Sequence, residues 1–191
     1  MKTDIILAGV GGQGILSIAA AIGTAALQSN LNLKQSEVHG MSQRGGDVQS
    51  NLRISDKEIA SDLIPIGKAD IIISVEPMEA LRYLPYLSKD GVVVTNTTPF
   101  INIPNYPEQE KVMDTLNALK HVIAIDADAI AKEIGSSRFS NIVMLGAAAP
   151  FLNMPFEAIE KAVVTLFERK GEEVVETNLK ALRAGYEKSK K

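Results

Sequence analysis

Gly9-Val10-Gly11-Gly12-Gln13-Gly14 decides how this chain is read. The apolar run Ile5-Ile6-Leu7-Ala8 precedes it, and a small-residue segment begins at Ile15. Consecutive apolar positions predict a strand buried on both faces of a parallel sheet. Ile15, Ile18 and Ile22 then recur at helical spacing, with alanine and Gly23 filling most of the positions between and just beyond them. Strand, glycine turn and helix in that order bring backbone N–H groups and a helix N-terminus to one point, a geometry suited to an anion.

The same order repeats its buried-strand signal downstream. A strand is expected over Leu33 to Val38, and others at Ala69 to Val75, Val92 to Val94 and His121 to Ile125. Between the first and second of these the period changes. Val48, Ser50, Leu52 and Ile54 alternate with Gln49, Asn51, Arg53 and Ser55. Period two with one wet face predicts an antiparallel strand, here expected to turn at Asp56-Lys57 and pair back through Glu58-Ile59-Ala60. Helices are expected after Glu76-Pro77, over Lys111 to Leu119, and from Asp126 to Ile134, the last ended by Gly135. Thr95 to Pro107, with three prolines, reads as a long ordered loop. Stripes at Phe156, Ile159, Val163, Leu166 and at Val175, Leu179, Leu182, Tyr186 make the last third helical. The expected fold is a single α/β domain over residues 1–191. It is three-layered and Rossmann-like, with a mostly parallel sheet, an inserted antiparallel hairpin and a helical C-terminal third.

Composition narrows the chemistry. The 191 residues carry a net charge of −3, without a basic patch interleaved with aromatics, which argues against nucleic acid. There is no cysteine, so this chain's own thiolates can neither form disulfides nor ligate iron–sulfur clusters. Only His39 and His121 are present, which excludes a histidine-rich metal site. No apolar run approaches the ~20 residues of a membrane span. Met1 to Asp4 lacks the pattern of a signal peptide, so a cytoplasmic protein is expected.

Gly9, Gly11 and Gly14 satisfy G-x-G-x-x-G, and Glu37 stands where an acidic residue would meet a ribose. The motif alone supports a nucleotide site and simple tight packing equally. Ile15-Leu16 replace the Lys-Ser/Thr of a phosphate-binding P-loop, which excludes that motif. The second loop, Ser36 to Asp47, places Arg44 between Gln43 and the flexible glycines Gly45 and Gly46, with His39 and Ser42 adding hydrogen-bonding capacity. It follows a strand's carboxyl end, where open α/β sheets hold ligands. Glu76, after another buried strand, would look toward the same edge or cap its own helix. The candidate edge is therefore Gly9, Gly11, Gly12, Gln13, Gly14, His39, Ser42, Gln43, Arg44, Gly45, Gly46 and Glu76. No nucleophile–base pair, carboxylate dyad or metal cluster assembles from spacing, so no catalytic residue and no metal ligand is assigned. The residues by themselves leave a nucleotide-binding scaffold or a free-standing NAD(P)-dependent dehydrogenase open.

Taken together, Gly9 to Gly14, Ser36 to Gly46 and the Ser50 to Ile54 strand resemble the gamma subunit, or gamma domain, of 2-oxoacid:ferredoxin oxidoreductases. Ile64 to Asp70, Glu76 to Arg82 and Asn141 to Gly146 resemble that family as well. His39 to Gly46 is most similar to the small beta subunit of the indolepyruvate branch. The resemblance implies oxidative decarboxylation of a 2-oxoacid, such as an aryl pyruvate, to an acyl-CoA with reduction of ferredoxin. It implies that thiamine diphosphate, magnesium and iron–sulfur clusters reside on a large alpha subunit. This chain would bind none of these by itself and would close over the active-site region. Its glycine loops would face the partner or coenzyme A.

Overall fold

The computed structural model of the chain describes residues 1–39 and 45–190, with the backbone alone for His39. A six-stranded sheet lies at its centre, in the order β2-β3-β1-β4-β5-β6. The strands are β1 (Lys2–Val10), β2 (Asn32–His39), β3 (Asp47–Ser55), β4 (Ala69–Ser74), β5 (Leu87–Asn96) and β6 (Val122–Ile125). Strand β1 is parallel to β4, β4 to β5, and β5 to β6. Strand β3 runs antiparallel to both of its neighbours, β1 and β2.

The expected antiparallel strand is therefore present, but its hairpin partner is different. Glu58-Ile59-Ala60 forms no strand. Both edges of β3 are already occupied, and side chains take the carbonyls of the following segment. Arg53 Nη1 donates to Ser61 O and Leu63 O at 3.0 Å each, and Lys34 Nζ donates to Ala60 O at 3.2 Å. Arg53 also makes a two-pronged pair with the buried Asp4 carboxylate, at 2.8 and 3.1 Å, locking β3 to β1. Asp90-Gly91, a turn-like pair in the sequence, lies inside β5, where the pairing with β4 shifts register.

The period-two geometry of a strand sends alternate residues to opposite faces. Ile5, Leu7, Ile71, Ile73, Val92 and Val94 enter a large core on one face. Ile6, Ala8, Ile72 and Val93 enter a smaller core on the other. The large core is covered by α1 (Ile15–Gln28), α4 (Ala127–Ile134), α5 (Ser140–Ala148), α6 (Phe156–Phe167) and α7 (Glu172–Ser189). The small one is covered by α2 (Pro77–Arg82) and α3 (Gln109–Asn117). This is the three-layer α/β architecture, and the C-terminal third is helical. Helix α5 passes at its end into a 3-10 turn over Ala149–Phe151.

Helices α5 and α7 cross with their backbones almost touching. A Cβ on Gly146 would sit 2.0 Å from Leu182 O, and one on Gly185 would sit 1.9 Å from Val143 O. Only glycine fits at either position.

Candidate functional site

The parallel strands all end at one edge of the sheet, and both glycine loops are brought there. The first loop follows β1 directly. Gln13 does not extend into solvent. Its Oε1 accepts from Val10 N at 2.8 Å, and its backbone N donates to Val10 O at 3.1 Å, closing the turn on itself. Gly9 packs beneath: a Cβ there would meet Val75 Cγ2 at 2.4 Å. Gly14 caps α1 in the left-handed region, with φ 81° and ψ 25°. A side chain there would be strained, and its Cβ would also lie 2.5 Å from Asn141 Nδ2. Asn141, in the first turn of α5, donates from that nitrogen to Gly14 O at 3.2 Å and accepts from Ile142 N at 3.0 Å.

The second glycine loop is stitched to the first through backbone groups. Gly11 N donates to Gly46 O at 2.8 Å, and Gly45 N donates to Gly11 O at 3.4 Å. These bonds extend the β1–β3 ladder past the Val10–Asp47 pair. The expected juxtaposition of the two loops thus holds for Gly45 and Gly46. The expectations for the His39 side chain, Ser42, Gln43 and Arg44 lie outside the described residues.

A cleft of about 420 Å³ opens beside the first loop. It is lined by Val10, Gly11, Gly12, Gly14, Ile15, Leu16, Glu37 and Val48. Glu37 therefore shares a cleft with the glycine turn, but the topology is not that of a dinucleotide-binding unit. In such a unit β2 lies directly beside β1. Here β3 stands between them, displacing β2 by one further strand spacing of about 4.8 Å. The Gly11 N–H is spent on Gly46 O, and the Gln13 N–H on Val10 O.

Glu76 follows β4 at the same edge, but its carboxylate is fully buried. Oε2 accepts from Glu79 N at 2.8 Å, capping α2. Oε1 accepts from Phe100 N at 3.3 Å and from the Tyr106 hydroxyl. Of the two roles open to it, Glu76 fills the cap, and it additionally anchors the loop after β5. That loop reaches back to the glycines: Asn102 Nδ2 donates to Gly45 O at 2.6 Å.

A second buried carboxylate, Glu79, lies one turn along α2 and is paired with Arg82 at 2.7 and 3.2 Å. Burial outweighs the arginine and holds its pKa above the ordinary carboxylate value. Tyr83 donates to Asp47 Oδ2 at 3.3 Å, next to Gly46. Burial, and then the neighbouring Asp47 and Glu79 carboxylates, keep its phenol protonated. Burial and the bond to Glu76 do the same for Tyr106. Asn102, Tyr106, Tyr83, Glu79 and Asn141 all support this edge, and sequence reasoning assigned none of them a role. Glu79 and Asn141 lie within two of the family-like stretches, which was the available signal. No group of three or more His, Cys, Asp or Glu side chains suited to a metal occurs among the described residues.

The family described as pyruvate ferredoxin/flavodoxin oxidoreductase matches residues 4–188. The chain belongs to this family. Its gamma-type members include close relatives along the whole length. Indolepyruvate oxidoreductase subunit IorB of Archaeoglobus fulgidus is 38% identical over 195 residues, covering 97% of this chain and 94% of that protein. The IorB subunit of Methanothermobacter thermautotrophicus is 37% identical over 193 residues, covering 97% of each. Among solved structures, the gamma subunit of a keto/oxoacid ferredoxin oxidoreductase from Geobacter sulfurreducens superposes with a TM-score of 0.73. It is 27% identical, with 98% of both chains covered.

Proposed function

We propose that the chain is the small, accessory subunit of a thiamine diphosphate-dependent 2-oxoacid:ferredoxin oxidoreductase, acting on indolepyruvate or a similar aryl pyruvate. All of residues 1–191 serve as one gamma-type domain. The observation that carries the reading is the backbone pairing of Gly11 with Gly45 and Gly46 at the carboxyl edge of the sheet. It makes two loops into one surface rather than a cradle around a small molecule. Exposed apolar side chains border that surface: Leu16 on the cleft, Val38 at the end of β2 and Ile101 beside Asn102. Such residues suit contact with another protein better than contact with water.

In this reading the large alpha subunit supplies thiamine diphosphate, magnesium and the iron–sulfur clusters. The chain itself has no cysteine to hold a cluster. The glycine-loop edge closes over the alpha subunit's active site, on the side where coenzyme A and the 2-oxoacid enter, and ferredoxin accepts the electrons. Within that edge Gly9, Gln13 and Gly14 set the turn, and Gly45 and Gly46 hold the second loop. Arg44, with His39, Ser42 and Gln43, offers a cation and hydrogen-bonding groups to an anionic coenzyme or to the partner. The complex works in the cytoplasm. The described residues contain no helix long and apolar enough to cross a membrane.

Reconstitution tests this. The purified chain alone is expected to oxidise no 2-oxoacid. Addition of the alpha subunit is expected to give aryl pyruvate- and coenzyme A-dependent reduction of ferredoxin. Turnover by the isolated chain, or an alpha subunit as active without it as with it, would overturn the proposal.

A further inference from the structure

The loop joining β5 to α3 is held at two points by one carboxylate. Phe100 N and the Tyr106 hydroxyl both donate to Oε1 of Glu76. Glu76 is fully buried at the start of α2 and cannot follow solvent-driven motion of the loop. Asn102 lies between these two tethers, so its position is fixed from both sides. Its amide nitrogen donates to Gly45 O at 2.6 Å, across 57 residues of sequence. Gly45 N in turn donates to Gly11 O, and Gly46 O accepts from Gly11 N. A continuous path therefore runs from the buried Glu76 carboxylate, through the proline-rich loop, to the contact between the two glycine loops.

We propose that Asn102 is a positioning residue: it fixes the Gly45 carbonyl and so sets how Gly45 and Gly46 seat on Gly11 when the complex turns over. The physical ground is pre-organisation. A donor whose own backbone is already ordered holds a carbonyl without the ordering cost that a mobile side chain would incur. Neither glycine can fix this geometry by its own side chain, because neither has one. Among the described residues, the Tyr83 hydroxyl also tethers this region, but it reaches Asp47 rather than the glycines. Asn102 touches no reacting group in this account and acts only through the loop.

The functional arm of this inference rests on the reading of the chain as an oxidoreductase subunit; the structural arm does not. The test uses Asn102→Asp, which keeps the shape and puts an oxygen where the donor was, and Asn102→Gln, which retains an amide donor. In the full chain, Asn102→Asp is expected to speed amide hydrogen exchange at Gly11 and Gly45 by about tenfold, while Ile6 and Ile72 in the central strands are unchanged. In the reconstituted complex the same variant is expected to lower kcat by about tenfold with the KM for the 2-oxoacid near wild type, because the loop's placement and not substrate binding is lost. Asn102→Gln is expected to recover part of both. Unchanged exchange at Gly11 and Gly45 would overturn the inference, as would faster exchange with wild-type turnover. A wild-type complex without 2-oxoacid oxidation would instead refute the proposed function, and the exchange measurement would still decide whether Asn102 holds the loop.

Discussion

Replacing Gly14 with alanine probes the first glycine turn, and its cost can be divided into parts. Gly14 has φ 81°, in the left-handed region, where an L-residue costs about 1–2 kcal/mol. The added Cβ would also lie 2.5 Å from Asn141 Nδ2, where ordinary contact begins at 3.4 Å. Relief requires Asn141 to retreat, which breaks its 3.2 Å bond to Gly14 O, worth about 1 kcal/mol. The single variant should therefore lose about 2–3 kcal/mol, seen as a fall in Tm of roughly 5–10 °C for a chain of this size. Asn141→Ala alone should cost about 1–2 kcal/mol through its two lost hydrogen bonds. In the double variant the clash and the bond are both already gone, so Gly14→Ala adds only the backbone term. Chemical denaturation of the four proteins should thus show a coupling of about 1 kcal/mol, with the double variant more stable than the sum of the singles predicts. Strict additivity, within about 0.5 kcal/mol, would refute the claim that Asn141 packs against the turn.

Three further outcomes follow from the structure. Gly185→Ala places a methyl 1.9 Å from Val143 O, a backbone atom that cannot move aside alone, so α5 and α7 must separate. Overpacking of this kind costs at least about 1–3 kcal/mol, and a wild-type denaturation midpoint would contradict the close crossing. Tyr106→Phe removes a donor from the buried Glu76 carboxylate and is expected to cost about 1.5–3 kcal/mol, with faster proteolysis of the loop after β5; an unaltered midpoint and digestion pattern would count against the anchor. Glu79 has a folded-state pKa raised above its ordinary 4.5 by burial, so the folded protein holds its proton more tightly than the unfolded chain. Its contribution to stability is present below pH 4.5 and is lost as pH rises through the raised value. Wild type should therefore lose stability relative to Glu79→Gln across that rise, and a relative gain in denaturation measurements would reverse the assignment.

Much of this fold is legible in the sequence because the physics is local. Four consecutive apolar residues at Ile5 to Ala8 can be buried on both faces only in a central strand, and the structure sends them alternately into its two cores. The alternation from Val48 to Ser55 likewise fixes an antiparallel strand. Its partner is not legible. Glu58-Ile59-Ala60 has strand-like composition, but Arg53 and Lys34 claim the carbonyls of Ala60, Ser61 and Leu63, and β1 and β2 already flank β3. The insertion of β3 between β1 and β2 is a long-range choice that no local pattern encodes. It also undoes the dinucleotide reading of Gly9, Gly11, Gly14 and Glu37.

The candidate edge is legible in its glycines and not in its supports. Gly11, Gly45 and Gly46 announce a tight backbone approach, and they make one. Gln13 belongs to the candidate edge by its place in the turn, but no spacing shows that it folds back on Val10 N. Asn102 sits in a proline-rich loop without periodicity, and its contact with Gly45 spans 57 residues. No spacing singles out Glu79, yet it is buried and paired with Arg82. Buried polar contacts of this kind depend on the tertiary fold and leave no spacing signature.

The central claim is that the edge formed by the two glycine loops is covered by the large subunit. Hydrogen–deuterium exchange of the chain, alone and with the alpha subunit, tests it directly. Slower exchange on assembly is expected in the segments around Gly9 to Leu16, Gly45 to Asp47 and Phe100 to Asn102, with little change at the α6–α7 side of the molecule. Protection confined to the α6–α7 side, with the glycine-loop segments exchanging as fast in the complex as alone, would contradict it.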